Sequence, residues 1–133
     1  MNLLRYIQEN CDEVWKKDQF VMTDHVEGAS FGNELIRYEN SFLVIEFVNE
    51  RGHYTMEFIS KVSRDKNHRY SIELLRQLIT GENDLRPSLD DVNGSFLRTS
   101  LSELISRFEA SMIDETRKEL SILEKRRAKK LFG

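Results

Sequence analysis

The chain has 133 residues, of which 39% are hydrophobic and 32% are charged, and its formal net charge is −3. This balance is typical of one soluble domain, and it excludes a disordered chain and a globally basic nucleic-acid-binding domain. The single cysteine, Cys11, excludes an intramolecular disulfide. No apolar run approaches the roughly 18 residues of a membrane span and no signal-peptide pattern opens the chain, so we expect one cytoplasmic domain over residues 1–133 that contacts no membrane.

The first segment predicts an amphipathic helix that runs to about Lys17. Asn2 is a typical N-cap residue, and polar residues separate apolar ones at helical spacing. The apolar residues form one stripe: Leu3, Leu4, Ile7, Cys11, Val14 and Trp15. Because Cys11 lies on this stripe, we interpret it as a small buried hydrophobic residue rather than as a nucleophile.

The second segment, residues 18–33, has a weaker pattern. Small residues at positions 28–30 and Gly32 favour a loop or an irregular strand. Residues 20–22 fit either a short strand or a packed loop. A short strand near residues 26–31 would make the sheet that follows four-stranded.

Residues 34–61 hold the densest run of β-branched and aromatic residues, and they predict a three-stranded antiparallel meander. We expect its turns at Asn40-Ser41 and at Arg51-Gly52. In this register Tyr38 faces Leu43, and Ile36 faces Ile45. Because side chains alternate between the two faces of a strand, one face of the meander is apolar and must be covered by helices. Its residues are Ile36, Tyr38, Leu43, Ile45, Phe47, Tyr54, Met56 and Phe58.

The opposite face of the meander mixes apolar and charged side chains. Phe42, Val44, Val48 and Ile59 form an apolar patch rimmed by charge, which is typical of a partner site unless the N-terminal segment or a fourth strand covers it. The candidate binding residues on this face are Arg37, Phe42, Val44, Glu46, Glu57 and Ile59.

Glu46 is predicted to lie directly opposite Glu57 on this face, and like charges at that spacing destabilise a sheet. One explanation is a raised pKa on one carboxyl, as an acid–base pair needs. The others are a cation from a partner or an internal cation, for which Arg37 is a diagonal neighbour. Solvated or arginine-paired carboxylates are our first interpretation, a partner-binding acidic patch the second and catalysis the third. If the repulsion were uncompensated, replacing both residues with glutamine would leave the fold equally or more stable.

The C-terminal half predicts two or three helices. After a polar loop at residues 63–69, Ser71 caps a short helix that ends at Gly81. Another helical stretch begins near Ser88 or Ser95, and its pattern continues through Thr116, Leu120 and Leu123 or stops earlier. Asn93-Gly94 is a candidate interruption of this stretch. Its apolar stripe is Leu97, Leu101, Leu104, Ile105, Phe108 and Met112.

The last ten residues, 124–133, carry five basic residues and one acidic residue, whereas residues 1–123 carry a net charge of −7. Positive charge complements the dipole at the C-terminal end of a helix. We therefore interpret this basic run as a solvated helix end that extends past the core, and we expect no nucleic-acid partner.

The sequence offers little catalytic or metal-binding chemistry. His25, His53 and His68 show no metal-ligand spacing, and there is no phosphate-binding glycine motif or nucleophile elbow. Asp24 and Glu27 lie close to His25, but adjacent side chains on an extended chain point apart, so we interpret His25 as a surface-loop histidine. We predict no catalytic residue, no metal and no cofactor.

The layout as a whole resembles a known group. The meander ELIRYENSFLVIEFVNERGHYTMEFIS, followed by YSIELLRQLITGE and a leucine-rich helix, resembles the small acidic immunity proteins encoded beside bacterial polymorphic or contact-dependent toxins. The predicted elements themselves indicate an α+β fold. The resemblance implies a protein without activity of its own that binds and neutralises a cognate, possibly basic, toxin domain. The alternatives are a small enzyme that uses a sheet carboxylate, and a self-associating structural or regulatory protein. Either a monomer or a homodimer fits the sequence.

Overall fold

The structure is a computed structural model that describes residues 2–28, 33–63 and 67–132, with the backbone alone at Phe132. It has an α+β fold in which an N-terminal helix precedes an antiparallel sheet and three further helices follow. The elements in chain order are α1 (Leu3–Lys17), β1 (Val21–Glu27), β2 (Glu34–Glu39), β3 (Leu43–Glu50), β4 (His53–Ser60), β5 (Tyr70–Ser71), α2 (Ile72–Thr80), α3 (Asp91–Ser106) and α4 (Ile113–Phe132).

The sheet has five strands in the order β1-β2-β3-β4-β5, rather than the three or four that we predicted. The extra strand at one edge is β1, which begins earlier than the strand expected near residues 26–31. Half of that range, residues 29–31, lies outside the described residues. At the other edge, β5 pairs Tyr70 with Phe58 and Ser71 with Glu57, where we predicted a loop and a helix cap. A two-residue strand carries no periodic pattern, so only its pairing reveals it.

The predicted register is confirmed between β3 and β4, where Glu46 pairs with Glu57. Between β2 and β3 it is wrong by two residues, because Tyr38 pairs with Ile45. The turn there is at residues 41–42: the Asn40 side-chain oxygen accepts hydrogen bonds from the Phe42 and Leu43 amides at 3.0 and 2.9 Å. A shift of two residues keeps the side chains within the strands on their predicted faces, whereas Phe42 moves into the turn.

The apolar face of the meander forms the centre of the core, as predicted. Phe47 and Phe58 are fully buried, with Trp15 of α1 packed edge-on to Phe47 at 6.2 Å and Phe108 packed on Phe58 at 5.3 Å. Cys11 is also buried, and burial raises the pKa of its thiol far above the ordinary value, so its interpretation as a core residue is confirmed. The helix that precedes the strands in the chain and the helices that follow them therefore cover the same face of the sheet.

The residues at the helix ends show which of the predicted caps form. The Asn2 side chain accepts from the Arg5 amide at 2.8 Å and caps α1 as predicted, and Gly81 ends α2 with φ +76°. Ser71 precedes α2, but its side chain makes no capping hydrogen bond. The cap of α3 is Asp90, rather than Ser88 or Ser95, because its carboxylate accepts from the Asn93 amide at 3.0 Å.

The last predicted helical stretch is two helices, α3 and α4, separated by a short turn at residues 107–112. Gly94 lies inside α3 and does not interrupt it. A Cβ there would lie 3.1 Å from side-chain oxygens of Tyr6 and Asn10, so glycine allows α1 and α3 to approach closely. The basic run lies within α4 and is largely exposed, but Arg127 contacts buried Glu73 at 2.7 Å. Within the described part of the chain, none of the helices is both long and apolar enough to cross a membrane.

Candidate functional site

The sheet face opposite the helices contains most of the predicted binding residues. We call it the open face and define it by residues of β2, β3 and β4: Leu35, Arg37, Glu39, Val44, Glu46, Val48, Glu57 and Ile59. Its aliphatic residues remain half-buried rather than buried. β1 extends this face at its edge, with Val26 paired beside Leu35, and does not cover it. The open face is therefore accessible in the described part of the chain.

A network of ion pairs occupies the centre of the open face. Glu46 is only 2% exposed, and one of its oxygens accepts from Arg37 at 3.0 Å while the other accepts from Arg69. Arg69 also contacts Glu57 at 3.5 Å, and Arg37 lies 3.8 Å from Asp24 on β1. The carboxylates that the sequence placed opposite each other are thus bridged by one arginine of the same chain, Arg69. Arg37 lies directly opposite Glu46, not diagonally to it.

The charge state of Glu46 follows from these contacts. Burial by itself would raise the pKa of the Glu46 carboxyl, but the hydrogen bonds from Arg69 and Arg37 outweigh burial and lower it below the ordinary value. The hydrogen bond to Glu46 in turn raises the pKa of the Arg69 guanidinium. The explanation that invoked a raised pKa is therefore wrong for Glu46, which is an ionised acceptor that holds two cations in place.

Two shallow depressions flank the ion pairs and supply the apolar part of the face. One has a volume of about 330 Å³ and brings together Arg37, Val44, Glu46 and Ile59 beside Arg69. The other has a volume of about 260 Å³ on the far side of the network, and its lining includes three aliphatic residues: Val26, Leu35 and Val48. The structure thus assembles four of the six predicted binding residues around one depression.

The remaining two predicted residues have different positions. Glu57 adjoins the depression through its contact with Arg69. Phe42 lies in the turn between β2 and β3 and packs against the hydrophobic core, so it is half-buried and is not part of the depression's lining.

The open face is mixed in charge rather than acidic. Among the described residues, ion pairs on or beside it join four carboxylates to three cations, and Lys61 contacts Glu39 at 3.5 Å in addition to the central pairs. The predicted acidic patch around Glu46 and Glu57 is therefore largely neutralised from within. A partner that binds there would contact paired charges and aliphatic side chains instead of a uniformly negative surface.

Two polar contacts were not predicted from the sequence: that of Arg69 with Glu46, and that of His25 with Glu34. Arg69 was assigned to a polar loop, and only the β4–β5 pairing places it over Glu46. His25 lies in β1 and not in a loop, with its Nε2 atom 2.6 Å from Glu34 and 3.6 Å from Glu27. The available signal was the His-x-Glu spacing, because residues i and i+2 of a strand share a face.

Comparison with known proteins finds no family model that matches this chain, and neither curated proteins nor solved structures give a match.

Proposed function

We propose that this protein is a non-catalytic, cytoplasmic protein-binding module that acts as an immunity protein and neutralises a cognate toxin domain through the open face. The observation that supports this proposal is the difference in exposure between Glu46 and its two arginine partners in the central ion network. Glu46 is nearly buried, whereas the side chains of its partners Arg37 and Arg69 are 34% and 49% exposed. The two guanidinium groups are therefore held by the sheet and still presented to a partner.

This arrangement suits the energetics of protein recognition. Arginine is enriched among the residues that dominate binding energy, and its planar group makes several directed hydrogen bonds. Fixing the side chain before binding reduces the entropy lost on association, which is about 0.5–1.5 kcal/mol per ordered side chain. The depressions beside Val44 and Val48 would accept apolar side chains at the centre of an interface.

The overall charge supports a basic partner. Residues 1–123 carry a net charge of −7. Long-range attraction from this body would speed encounter with a cationic toxin domain, even though the open face itself is mixed in charge. The enzyme alternative lacks a comparable argument, since an ionised Glu46 held by two arginines has no proton to donate.

The test begins with the gene neighbourhood and continues with a growth assay. The toxin domain encoded beside this gene is expressed with the wild-type protein, with Ile59→Glu or with Ile122→Glu. Ile59 lines the larger depression, and Ile122 is an exposed isoleucine of α4 that serves as the matched control. We expect wild type and Ile122→Glu to protect growth and to bind the purified toxin domain one to one, and Ile59→Glu to bind at least about tenfold more weakly.

Two outcomes contradict the proposal. If no toxin is encoded nearby, or the wild-type protein gives no protection against it, the immunity function is wrong. If protection is found and Ile59→Glu binds as tightly as Ile122→Glu, the protein is an inhibitor that uses another surface.

A further inference from the structure

The sheet contains two pairs of directly opposed glutamates, and they are compensated differently. Glu46 and Glu57 on the open face share Arg69, and Glu46 has Arg37 as a second cationic partner. Glu27 and Glu34 oppose each other at the end of the β1–β2 pair, on the other face of the sheet. Opposed residues have β-carbons about 4.5–5.5 Å apart, so two negative charges there repel each other.

The only ion-pair partner that the described residues give to Glu27 and Glu34 is His25. A histidine compensates poorly for two carboxylates. A protonated imidazole leaves one excess negative charge, and a neutral one leaves two. The second pair therefore has an unmet requirement for positive charge that the first pair does not have.

The geometry of these three side chains is that of a ligand set. One donor atom from each, the His25 ring nitrogen and one oxygen each of Glu27 and Glu34, lie within 4.8 Å of one another. The side chains of Glu34 and His25 are 15% and 29% exposed and are carried by paired strands, whereas that of Glu27 is 75% exposed. A hollow of about 290 Å³ adjoins them, bordered by Asn2 and Leu4 at the start of α1.

We propose that His25, Glu27 and Glu34 bind one divalent first-row transition-metal ion, such as Zn²⁺ or Mn²⁺. Bonds of about 2.0–2.2 Å place the donor atoms around such an ion roughly 3.0–3.4 Å apart. The His25–Glu27 distance of 3.6 Å is close to this range. The His25–Glu34 distance of 2.6 Å has to open by less than about 1 Å, as the ion replaces the hydrogen that the two side chains share.

The choice of metal follows from the donor atoms. An imidazole nitrogen with two carboxylates suits Zn²⁺ and Mn²⁺, whereas Mg²⁺ and Ca²⁺ prefer oxygen ligands throughout. Three protein ligands also leave coordination positions for water, as in an open site. Removal of the bound Zn²⁺ or Mn²⁺ would restore the repulsion between Glu27 and Glu34. The bound ion would therefore stabilise the β1–β2 pair.

The chain contains a matched control. His68 contacts Glu124 at 2.8 Å, and among the described residues only His25, not His68, belongs to a three-ligand cluster. If a simple histidine–glutamate pair were enough to bind the metal, both positions would do so. The proposal requires that His25→Gln weakens binding and that His68→Gln does not.

The experiment is isothermal titration calorimetry on the full chain after treatment with EDTA. ZnCl₂, MnCl₂ and MgCl₂ are each titrated into wild type, His25→Gln, Glu34→Gln, Glu27→Gln and His68→Gln. We expect one Zn²⁺ or Mn²⁺ per chain, much weaker binding of Mg²⁺, and at least about a tenfold loss of affinity in His25→Gln and Glu34→Gln, since losing even an indirect support of a metal ligand costs 10–100-fold. Glu27→Gln changes an exposed side chain and so should fold normally, which separates loss of a ligand from loss of structure.

The location is checked by nuclear magnetic resonance with substoichiometric Mn²⁺. The paramagnetic ion should broaden the His25 ring signals and leave those of His68 sharp. The proposal is overturned if neither Zn²⁺ nor Mn²⁺ binds, if Glu27→Gln and His25→Gln both bind like wild type, or if His68→Gln loses as much affinity as His25→Gln.

Discussion

Replacing Glu46 with glutamine tests the central ion network most directly. The change keeps the size of the side chain and removes its charge. Glutamine retains one oxygen that can accept from one arginine, but its NH₂ group replaces the second oxygen and cannot accept from the other. The substitution therefore removes one charge-assisted hydrogen bond outright and weakens the other.

The magnitude follows from the exposure of the partners. A hydrogen bond to a charged group contributes roughly 1.5–3 kcal/mol, and removing one partner of a fully buried ion pair costs about 3–5 kcal/mol. Arg37 and Arg69 are one-third to one-half exposed, so water can solvate them after the change and the lower range applies. We expect Glu46→Gln to lower the free energy of unfolding by about 2 kcal/mol.

The assay is urea denaturation at pH 7, with Glu57→Gln as the control. The Glu57 side chain is more exposed than that of Glu46, and its contact with Arg69 is 3.5 Å long, so its replacement should cost less than about 1 kcal/mol. A loss of less than about 0.5 kcal/mol in Glu46→Gln, or equal losses in both variants, would refute the assignment of Glu46 as the residue that holds the arginines. The sequence analysis linked a neutral or stabilising double change to uncompensated repulsion, and it named Arg37 but not Arg69 as a compensating cation.

The same carboxylate sets a dependence on pH. Since the pKa of folded Glu46 is lowered below its ordinary value of 4.5, its contribution to stability is fully present above that value. It is lost as the pH falls through the lower pKa of the folded state. The difference in unfolding free energy between wild type and Glu46→Gln should therefore be constant near neutrality and shrink below about pH 4.5; a difference that grows on acidification would reverse the sign of the argument.

Two further predictions concern the core and the basic helix end. Phe47→Ala should lower the free energy of unfolding by about 3–5 kcal/mol, because the side chain is fully buried beneath Trp15, and a loss below about 1 kcal/mol in urea denaturation would mean that the core is placed wrongly. Arg127→Ala should destabilise the fold by about 1–3 kcal/mol because it leaves buried Glu73 without this partner, whereas Arg126→Ala on the exposed side should change the thermal midpoint little; equal shifts would show that the contact contributes nothing.

The sequence by itself determined the parts of the fold that depend on neighbouring residues. α1 was predictable because Asn2 supplies its cap and its apolar residues repeat at helical spacing. The two faces of the meander were predictable because side chains alternate along a strand, and a register error of two residues does not alter which face they occupy. Gly81 marked the end of α2 because glycine adopts the positive φ that the residue after this helix requires.

Only the tertiary structure decided which charges meet. Arg69 lies 23 residues from Glu46 along the chain, and the two-residue strand that brings it there has no pattern to recognise. His25 and Glu34 likewise meet because β1 and β2 pair, not because of any spacing typical of a ligand set. Periodicity reports how a segment orients its own side chains, whereas a bridge between separate segments depends on their register and on burial. The open face and Arg37 were therefore predicted from the sequence, while Arg69 on that face and the contact of His25 with Glu34 on the opposite face were not.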